Sequence, residues 1–244
     1  DKNLIEIIDL KDAKNFSDDR LKCRLVTHDG ACHCDELAAL VILLWCPSIN
    51  IMSPFLVRCR DDEMIQKEGG IVFDIGSRYE FDRDVAKNFG MSSKTQYLDH
   101  HQKSFNKKWS KYHSNDLATF GIVLMHYGKE ALTNLISKWN NNGKTNFNLD
   151  KVDDLIERLY SSGYGKVIDS VDNGQFNSHV YTNDSDNIQK QKERVYNRTG
   201  IFHRIKRLYP KWDEENKDWN SAFLKALNII KNDMKDEILC IMHD

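Results

Sequence analysis

Three short apolar runs in this chain each end on residues that bind metals or move protons. Leu25-Val26 leads into Thr27-His28-Asp29, Ile71-Val72 into Phe73-Asp74-Ile75-Gly76, and Tyr97-Leu98 into Asp99-His100-His101. A buried strand end favours apolar side chains, and an ionised carboxylate beside imidazoles is costly to bury unless it is paired or bound. Packing does not explain the pattern, whereas a metal site does. The runs also alternate with helical patterns, which restricts the fold. Strands are expected at residues 23–27, 55–60, 71–74 and 95–99. Residues 35–45 are apolar nearly all round, as in a helix buried against a sheet, and Pro47 stops it. A short acid-capped helix is expected at 61–67, ended by Glu68-Gly69-Gly70. This alternation implies an α/β fold with a doubly wound, mainly parallel sheet. In such sheets ligands collect at the carboxyl ends of strands.

From residue 117 the pattern turns helical, over 117–139, 152–171, 188–208 and 219–242. In the last segment Phe223, Leu227, Ile230, Met234, Ile238 and Ile241 recur at helical spacing, as a core stripe does. Residues 140–143 and 182–187 read as surface loops. Two parts are expected, a metal-binding catalytic domain at 1–180 and a helical extension at 181–244. With 40% apolar residues, 30% charged residues and a net charge of −2, the chain reads as a globular protein whose overall charge does not point to nucleic acid. Six cysteines lie mostly inside apolar runs with no two-residue-spaced pairs, so reduced thiols are expected rather than a disulfide framework. No apolar stretch reaches 18 residues and no signal or transit peptide is visible. No membrane partner is expected, and the location is expected to be intracellular: cytoplasm, nucleus or mitochondrion.

The chemistry concentrates at a few turns. His28 ends the first strand, and His33 and Asp35 share the turn into the following helix. Asp74 and His100 arrive from neighbouring strands. Asp169 and Asp172 end a helix with Gly174 past its last turn, Asp169 being expected to cap or pair there. Two imidazole-bearing turns and three carboxylates exceed the needs of one metal. They suggest two divalent cations about 3.5–4 Å apart, able to clamp a phosphoryl group. Mixed oxygen and nitrogen ligands favour Mn²⁺, or Fe²⁺, Co²⁺ or Zn²⁺, over Mg²⁺. Cys32 and Cys34 beside His33 suggest a zinc knuckle, but structural zinc wants four ligands and no second cysteine pair exists.

Four segments, THDGACHCDE, VFDIG, LDHHQKSF and IDSVDNG, occur in that order. They resemble the motifs of the MYG-type (melanocyte-proliferating-gene) exonucleases, a branch of the DHH phosphoesterase superfamily. The resemblance is specific from Thr27 to Gly174 and weaker to about Leu239. It implies a Rossmann-like sheet carrying a dinuclear centre, typically Mn²⁺, that hydrolyses phosphodiesters through in-line attack by a bridging hydroxide. It implies His28, His33, Asp35, Asp74, His100 and Asp172 as metal ligands, with Asp35 and Asp74 central to catalysis. His101 is expected to contact the phosphate or assist proton transfer, and Asp99, Glu36 and Asn173 to orient their neighbours. Cys32 replaces an aromatic residue common in the family, Asp29 replaces Asn, and 82–94 resembles an insertion. The family continues beyond Asp244 with a region expected to help complete the substrate cleft.

Substrate signals are local. Residues 190–211 carry eight Lys or Arg against one Glu, interleaved with Tyr196, Phe202 and Tyr209. Lys103, Lys107, Lys108 and Lys111 are interleaved with Phe105, Trp109 and Tyr112. Basic residues with aromatics between them suit a single-strand groove, and equally suit two solvated helix faces over buried aromatics. Arg58 and Arg60 are expected to hold a phosphate near the metals, with Lys103, Arg204 and Arg207 on the strand beyond. The expected activity is exonucleolytic hydrolysis of single-stranded nucleic acid, RNA favoured by the resemblance. The alternatives are a phosphoesterase for short oligonucleotides, cyclic dinucleotides or pyrophosphate, and a metal-binding domain without turnover.

Overall fold

A computed structural model describes residues 4–110, 116–161, 163–174 and 200–243. Six strands form one sheet among these residues: β1 (Glu6–Ile7), β2 (Arg24–Thr27), β3 (Phe55–Arg58), β4 (Ile71–Phe73), β5 (Tyr79–Glu80) and β6 (Gln96–Leu98). Their order is β1-β3-β2-β4-β6-β5. All neighbours are parallel except β5, which runs antiparallel to β6 at the edge. The chain leaves β2 toward β3 on one side and returns to place β4 on the other. That reversal of direction opens a crevice at the carboxyl ends of β2 and β4, the place where such sheets bind ligands. The register holds the three chemical strand ends level. Val26 pairs with Val72 and Phe73 with Leu98, so His28, Asp74 and Asp99 all emerge at one edge.

The helices in chain order are α1 (Leu10–Ala13), α2 (Asp18–Leu21), α3 (Cys34–Trp45), α4 (Pro47–Asn50), α5 (Asp62–Gln66), α6 (Arg83–Lys87), α7 (Thr119–Asn141), α8 (Val152–Ser161), α9 (Tyr164–Asp172), α10 (Ile201–Lys206) and α11 (Trp219–His243). Every residue of α3 from Cys34 to Leu43 is buried. A helix apolar on all sides must be covered on all sides; α7, α11 and α9 pack on α3. α11 adds Phe223, Leu227, Ile230, Met234, Ile238 and Ile241 to the same core. No helix among the described residues is long and apolar enough to cross a membrane.

Several boundaries differ from the sequence expectation. The strand expected at 55–60 stops at Arg58, and α7 takes two residues of the expected loop at 140–143. The edge strands β1 and β5 and the helix α6 within 82–94 were not foreseen, being too short to show a period. The single helix expected at 152–171 is two helices. Gly163 between them has φ +120°, a conformation closed to residues with a side chain. Of the helix expected at 188–208, residues 188–199 lie outside the described residues, as does the loop at 182–187.

The break between α8 and α9 has a structural consequence. α7 starts at Ala118, which has no side-chain cap of its own. Asp169 of α9 supplies one from a distance in sequence: its carboxylate accepts from the Gly121 N–H at 3.1 Å, from the Ala118 N–H, and from the Tyr160 hydroxyl at 3.0 Å. Burial pushes its pKa up to about 8 while these donors pull it down. The carboxylate fits because residue 121 has no side chain. A Cβ on Gly121 would stand 2.1 Å from Asp169 Oδ2 and 2.7 Å from Leu117 Cδ2. Ala at a helix interior gains about 1 kcal/mol over Gly. The displaced cap exposes two buried N–H groups to a loss of about 1–3 kcal/mol each. Gly121→Ala is therefore expected to lower stability by about 2 kcal/mol or more, seen as a Tm lowered by about 2–4 °C per kcal/mol. Thermal unfolding with Tm unchanged or raised would show that Asp169 does not cap α7.

Candidate metal centre

The carboxyl edge of the sheet brings together the residues that the sequence expectation named as ligands. Three overlapping groups hold their donor atoms within 4.8 Å of one another: Asp74, His100, His101 and Asp172; His28, His33 and Asp74; and His33, Asp35 and Asp172. Asp74, Asp172 and His33 each belong to two groups, so the donor sets form one continuous centre. Asp74 reaches it because its backbone turns left-handed directly after β4, with φ +55°. Aspartate tolerates that conformation better than most residues, yet at a cost that the surrounding contacts must hold in place. Asp35 and Glu36 come from the first turn of α3, and Asp172 from the last residue of α9.

Hydrogen bonds decide which imidazole nitrogen faces the centre. His28 Nδ1 lies 3.0 Å from the carbonyl of Asp29. A carbonyl only accepts, so Nδ1 carries the proton and Nε2 turns inward. There Nε2 lies 3.2 Å from Glu36 Oε1 and 3.3 Å from Asp74 Oδ2, with hydrogen-bond geometry to neither. His100 is held in the same way. Thr119 Oγ1 donates to Asp74 Oδ1 at 3.0 Å, so it accepts from His100 Nδ1 at 3.2 Å. His100 Nε2 is left 3.0 Å from Asp172 Oδ2, while His33 Nδ1 sits 3.3 Å from Asp172 Oδ1. Bonds of this kind to the outer nitrogen are what orient a ligating histidine.

The electrostatics show what the centre lacks. Asp35 is 1% exposed, and neither of its carboxylate oxygens has a hydrogen-bond partner among the described residues. Burial, together with the neighbouring Asp74 and Asp172, raises its pKa far above the carboxylate range. Burial also raises Asp74, whereas for Asp172 burial is outweighed by His100 and His33, which lower its pKa. Burial disfavours a charged His28, but Asp74 and Glu36 outweigh it and push its pKa up to about 11. Asp172 raises His33. The group thus holds more buried carboxylate charge than its own imidazoles offset. A divalent cation, bound where these groups otherwise hold protons, fits that imbalance and the unpartnered Asp35 oxygens. The donors are nitrogen and oxygen, and no cysteine belongs to any of the three groups. Cys32 and Cys34 are buried, and burial pushes the Cys32 thiol up to about 12.

Surrounding residues hold this arrangement. Asp99 Oδ1 accepts from His101 Nδ1 at 2.6 Å and Oδ2 accepts from the Ser77 N–H at 2.5 Å, which holds the half-exposed His101 ring at the rim of the centre, 4.2 Å from the His100 ring. Asp99 raises the His101 pKa. Glu36 accepts from the Thr27 hydroxyl at 2.8 Å and the His33 N–H at 2.9 Å. Asn173 donates to the Asp116 carbonyl at 2.8 Å, tying the end of α9 to the approach to α7. Thr119 and Ser77 were not named from sequence. Neither lies in a recognisable motif, and each meets the site only through the fold.

The expected phosphate-binding residues are placed differently. Arg58 is 8% exposed; its guanidinium donates to the carbonyls of Trp219 and Gly30 and to Asn220 Oδ1, and packs 4.2 Å over the Phe223 ring. It braces α11 against the turn after β2. Arg60 pairs with Asp29 at 3.1 Å, and Arg204 with Asp233 at 3.1 Å. Lys103 and Arg207 are exposed. Phe105 packs edge-on to Tyr79 and Trp109 stacks on Tyr160 at 4.1 Å, so these two aromatics are engaged within the fold. Lys111, Tyr112 and residues 190–199 lie outside the described residues, as do His113 and His179. His126 is stacked on Phe81 and bonded to Tyr79, while His203 and His243 are exposed. Asp169 caps α7 and belongs to none of the three donor groups.

Comparison with known proteins agrees with this span. The mouse protein named MYG1 exonuclease is 25% identical over 225 residues, which is 90% of this chain and 50% of the mouse protein. The bovine MYG1 exonuclease is 26% identical over 86% of this chain and 48% of its own length. The MYG1 protein of Dictyostelium discoideum is 27% identical over 84% of this chain and 53% of its own. The chain therefore spans about half the length of the curated relatives it matches. No solved structure matches it at a significant level. The family model MYG1_exonuc, described as "Uncharacterised protein family (UPF0160)", matches residues 24–243. That match runs from β2 to the end of α11 and takes in every residue of the centre, and by it the chain belongs to the MYG1 exonuclease family.

Proposed function

We propose that the chain is a divalent-metal-dependent phosphodiester hydrolase of the DHH phosphoesterase type, acting as an exonuclease on single-stranded nucleic acid, RNA favoured. The observation that carries this reading is the buried Asp35 carboxylate, without a hydrogen-bond partner among the described residues, beside imidazole and carboxylate donors that form three overlapping groups. The name exonuclease, printed for the mouse and bovine relatives, supports it. His28, His33, Asp35, Asp74, His100 and Asp172 would hold the metals, two divalent cations with Mn²⁺ suited to the mixed donors. When bound, such ions activate water and neutralise charge on phosphoryl oxygens. The protein's part is to hold these groups in place and exclude competing water. His101, whose pKa the bond to Asp99 raises, would in its protonated form donate to a phosphoryl oxygen or to the leaving oxygen. Lys103, Arg204 and Arg207 are proposed as phosphate contacts along the strand, Arg204 by leaving Asp233. Five buried free thiols suit a reducing, intracellular compartment. A second reading, hydrolysis of short oligonucleotides or other small phosphoesters, is favoured by the modest cavity beside the centre, about 250 Å³.

Three outcomes test the proposal. Asp74→Asn removes the charge and keeps a residue that tolerates φ +55°. Mn²⁺-dependent hydrolysis of a labelled oligonucleotide should fall by more than about 100-fold, beyond the 10–100-fold usual for outer partners, with the unfolding transition retained. Full activity would remove Asp74 from the centre. Thr119→Val deletes the hydroxyl between Asp74 and His100, and should weaken Mn²⁺ binding about 10–100-fold, with Thr119→Ser restoring it. Equal Mn²⁺ affinity in both variants, measured by calorimetry, would show that Thr119 only fills space. Asp99→Asn lowers the His101 pKa, so less of the ring stays protonated as pH rises. The alkaline limb of the rate profile should then move to lower pH; an unmoved limb excludes His101 as the proton donor.

A further inference from the structure

A cavity of about 250 Å³ opens directly off the centre. His33, Asp35 and Asp172 line one wall. α10 contributes Phe202, Ile205 and Lys206, at i, i+3 and i+4 and so on one face, and the turn after it contributes Tyr209. The floor is Ile168 and Val171 of α9, with Val171 left 36% exposed. Tyr209 fixes the far wall by donating to the Cys32 carbonyl, and its ring packs against Trp219 at 5.5 Å. Phe202 is half-buried with no ring partner among the described residues. The Lys206 ammonium is exposed and makes no ion pair among them. The cavity therefore joins an aromatic ring and an apolar floor to one cation, within reach of groups suited to divalent metals.

We propose that this cavity is the subsite for the nucleoside unit next to the hydrolysed phosphate, with Phe202 against the base and Lys206 on a phosphate oxygen. The inference rests on the nuclease reading above and deepens it. An apolar surface with a flat ring and a single cation matches a base joined to a phosphate, which no inorganic phosphate or pyrophosphate would fill. The volume is below the roughly 300–1,000 Å³ of pockets for drug-sized ligands and suits one nucleotide rather than an oligomer. Away from His33, Asp35 and Asp172 the lining is Ile168, Val171, Phe202 and Ile205 with Lys206, Tyr209 and two cysteines, and stacking accepts any base because each has a π-face. The subsite thus recognises that a base is present without reading which one.

The test compares adenosine monophosphate with ribose 5-phosphate on the Mn²⁺-equilibrated chain by calorimetry. The two share the phosphate and sugar and differ in the base alone. Adenosine monophosphate should bind at least about tenfold tighter, and the uridine, cytidine and guanosine monophosphates within a few-fold of it. Phe202→Ala should erase the advantage over ribose 5-phosphate, and Phe202→Tyr should keep it. Lys206→Gln should weaken both ligands alike. Equal binding of adenosine monophosphate and ribose 5-phosphate by the parent chain overturns the proposal, as does a preference that survives Phe202→Ala. Oligonucleotide hydrolysis is followed in parallel. Hydrolysis without a base preference refutes the subsite and leaves the nuclease reading standing; a base preference without hydrolysis does the reverse.

Discussion

Asp35 sits at the head of a helix buried on every side, 1% exposed, with neither oxygen bonded. Buried there it is cut off from bulk water, and no donor among the described residues hydrogen-bonds to it. In a protein interior such a carboxyl either takes up a proton or meets a positive charge. Asp74, Asp172 and Glu36 raise the cost of ionising it further. Much of the surrounding structure follows from managing this group. The imidazoles of His28, His33 and His100 stand between the carboxylates; the Asp29 carbonyl holds the outer nitrogen of His28, and the Thr119 hydroxyl holds that of His100 while donating to Asp74. The same concentration of charge that makes the site costly without a cation makes it selective for one.

Two levels of support keep the donors aimed. The first is the register of β2, β4 and β6, which brings His28, Asp74 and Asp99 to one edge of the sheet. The second is a ring of neutral or paired groups: Thr119 between Asp74 and His100, Asp29 behind His28, Ser77 and His101 on Asp99, and Thr27 on Glu36. Parallel strands set position to within a residue. Hydrogen bonds then set which nitrogen and which oxygen point inward, and the proposed chemistry depends on that finer choice.

The helical half contributes more than cover. α9 carries Asp169 and Asp172 three residues apart, one turned to the N-terminus of α7 and the other to the centre. The Gly163 break lets α9 turn back far enough to do both, and ties the stability of α7 to the placement of Asp172, a proposed ligand. α11 is linked to the sheet through Arg58, whose guanidinium spans from Gly30 to Trp219. An arginine at a strand end beside a proposed phosphate site can serve as a brace, because a buried guanidinium seeks acceptors for its donors and those in reach of Arg58 are the Gly30 and Trp219 carbonyls and the Asn220 amide oxygen.

Sequence by itself determined the alternation of strands and helices, the buried character of α3, and the Asp and His residues at the strand ends. These are local properties: a period of two or of 3.6 residues, and side chains too polar for the positions they occupy. It also named the six donors now found together, through the turns at strand and helix ends where they sit and through the resemblance of their four motifs to the MYG-type exonucleases. Only the tertiary structure decided that Asp169 caps α7 while Asp172 turns to the centre, that Arg58 is a brace, and that Thr119 sets the His100 nitrogen. It also placed Phe202 and Lys206 against the metal centre and turned Phe105 and Trp109 into the fold. Each of these depends on partners distant in sequence, 19 residues away for Thr119 and His100 and up to 162 for Arg58 and Asn220. No periodicity carries such information, because what a hydroxyl, a guanidinium or a ring does is set by the atoms that packing brings to it.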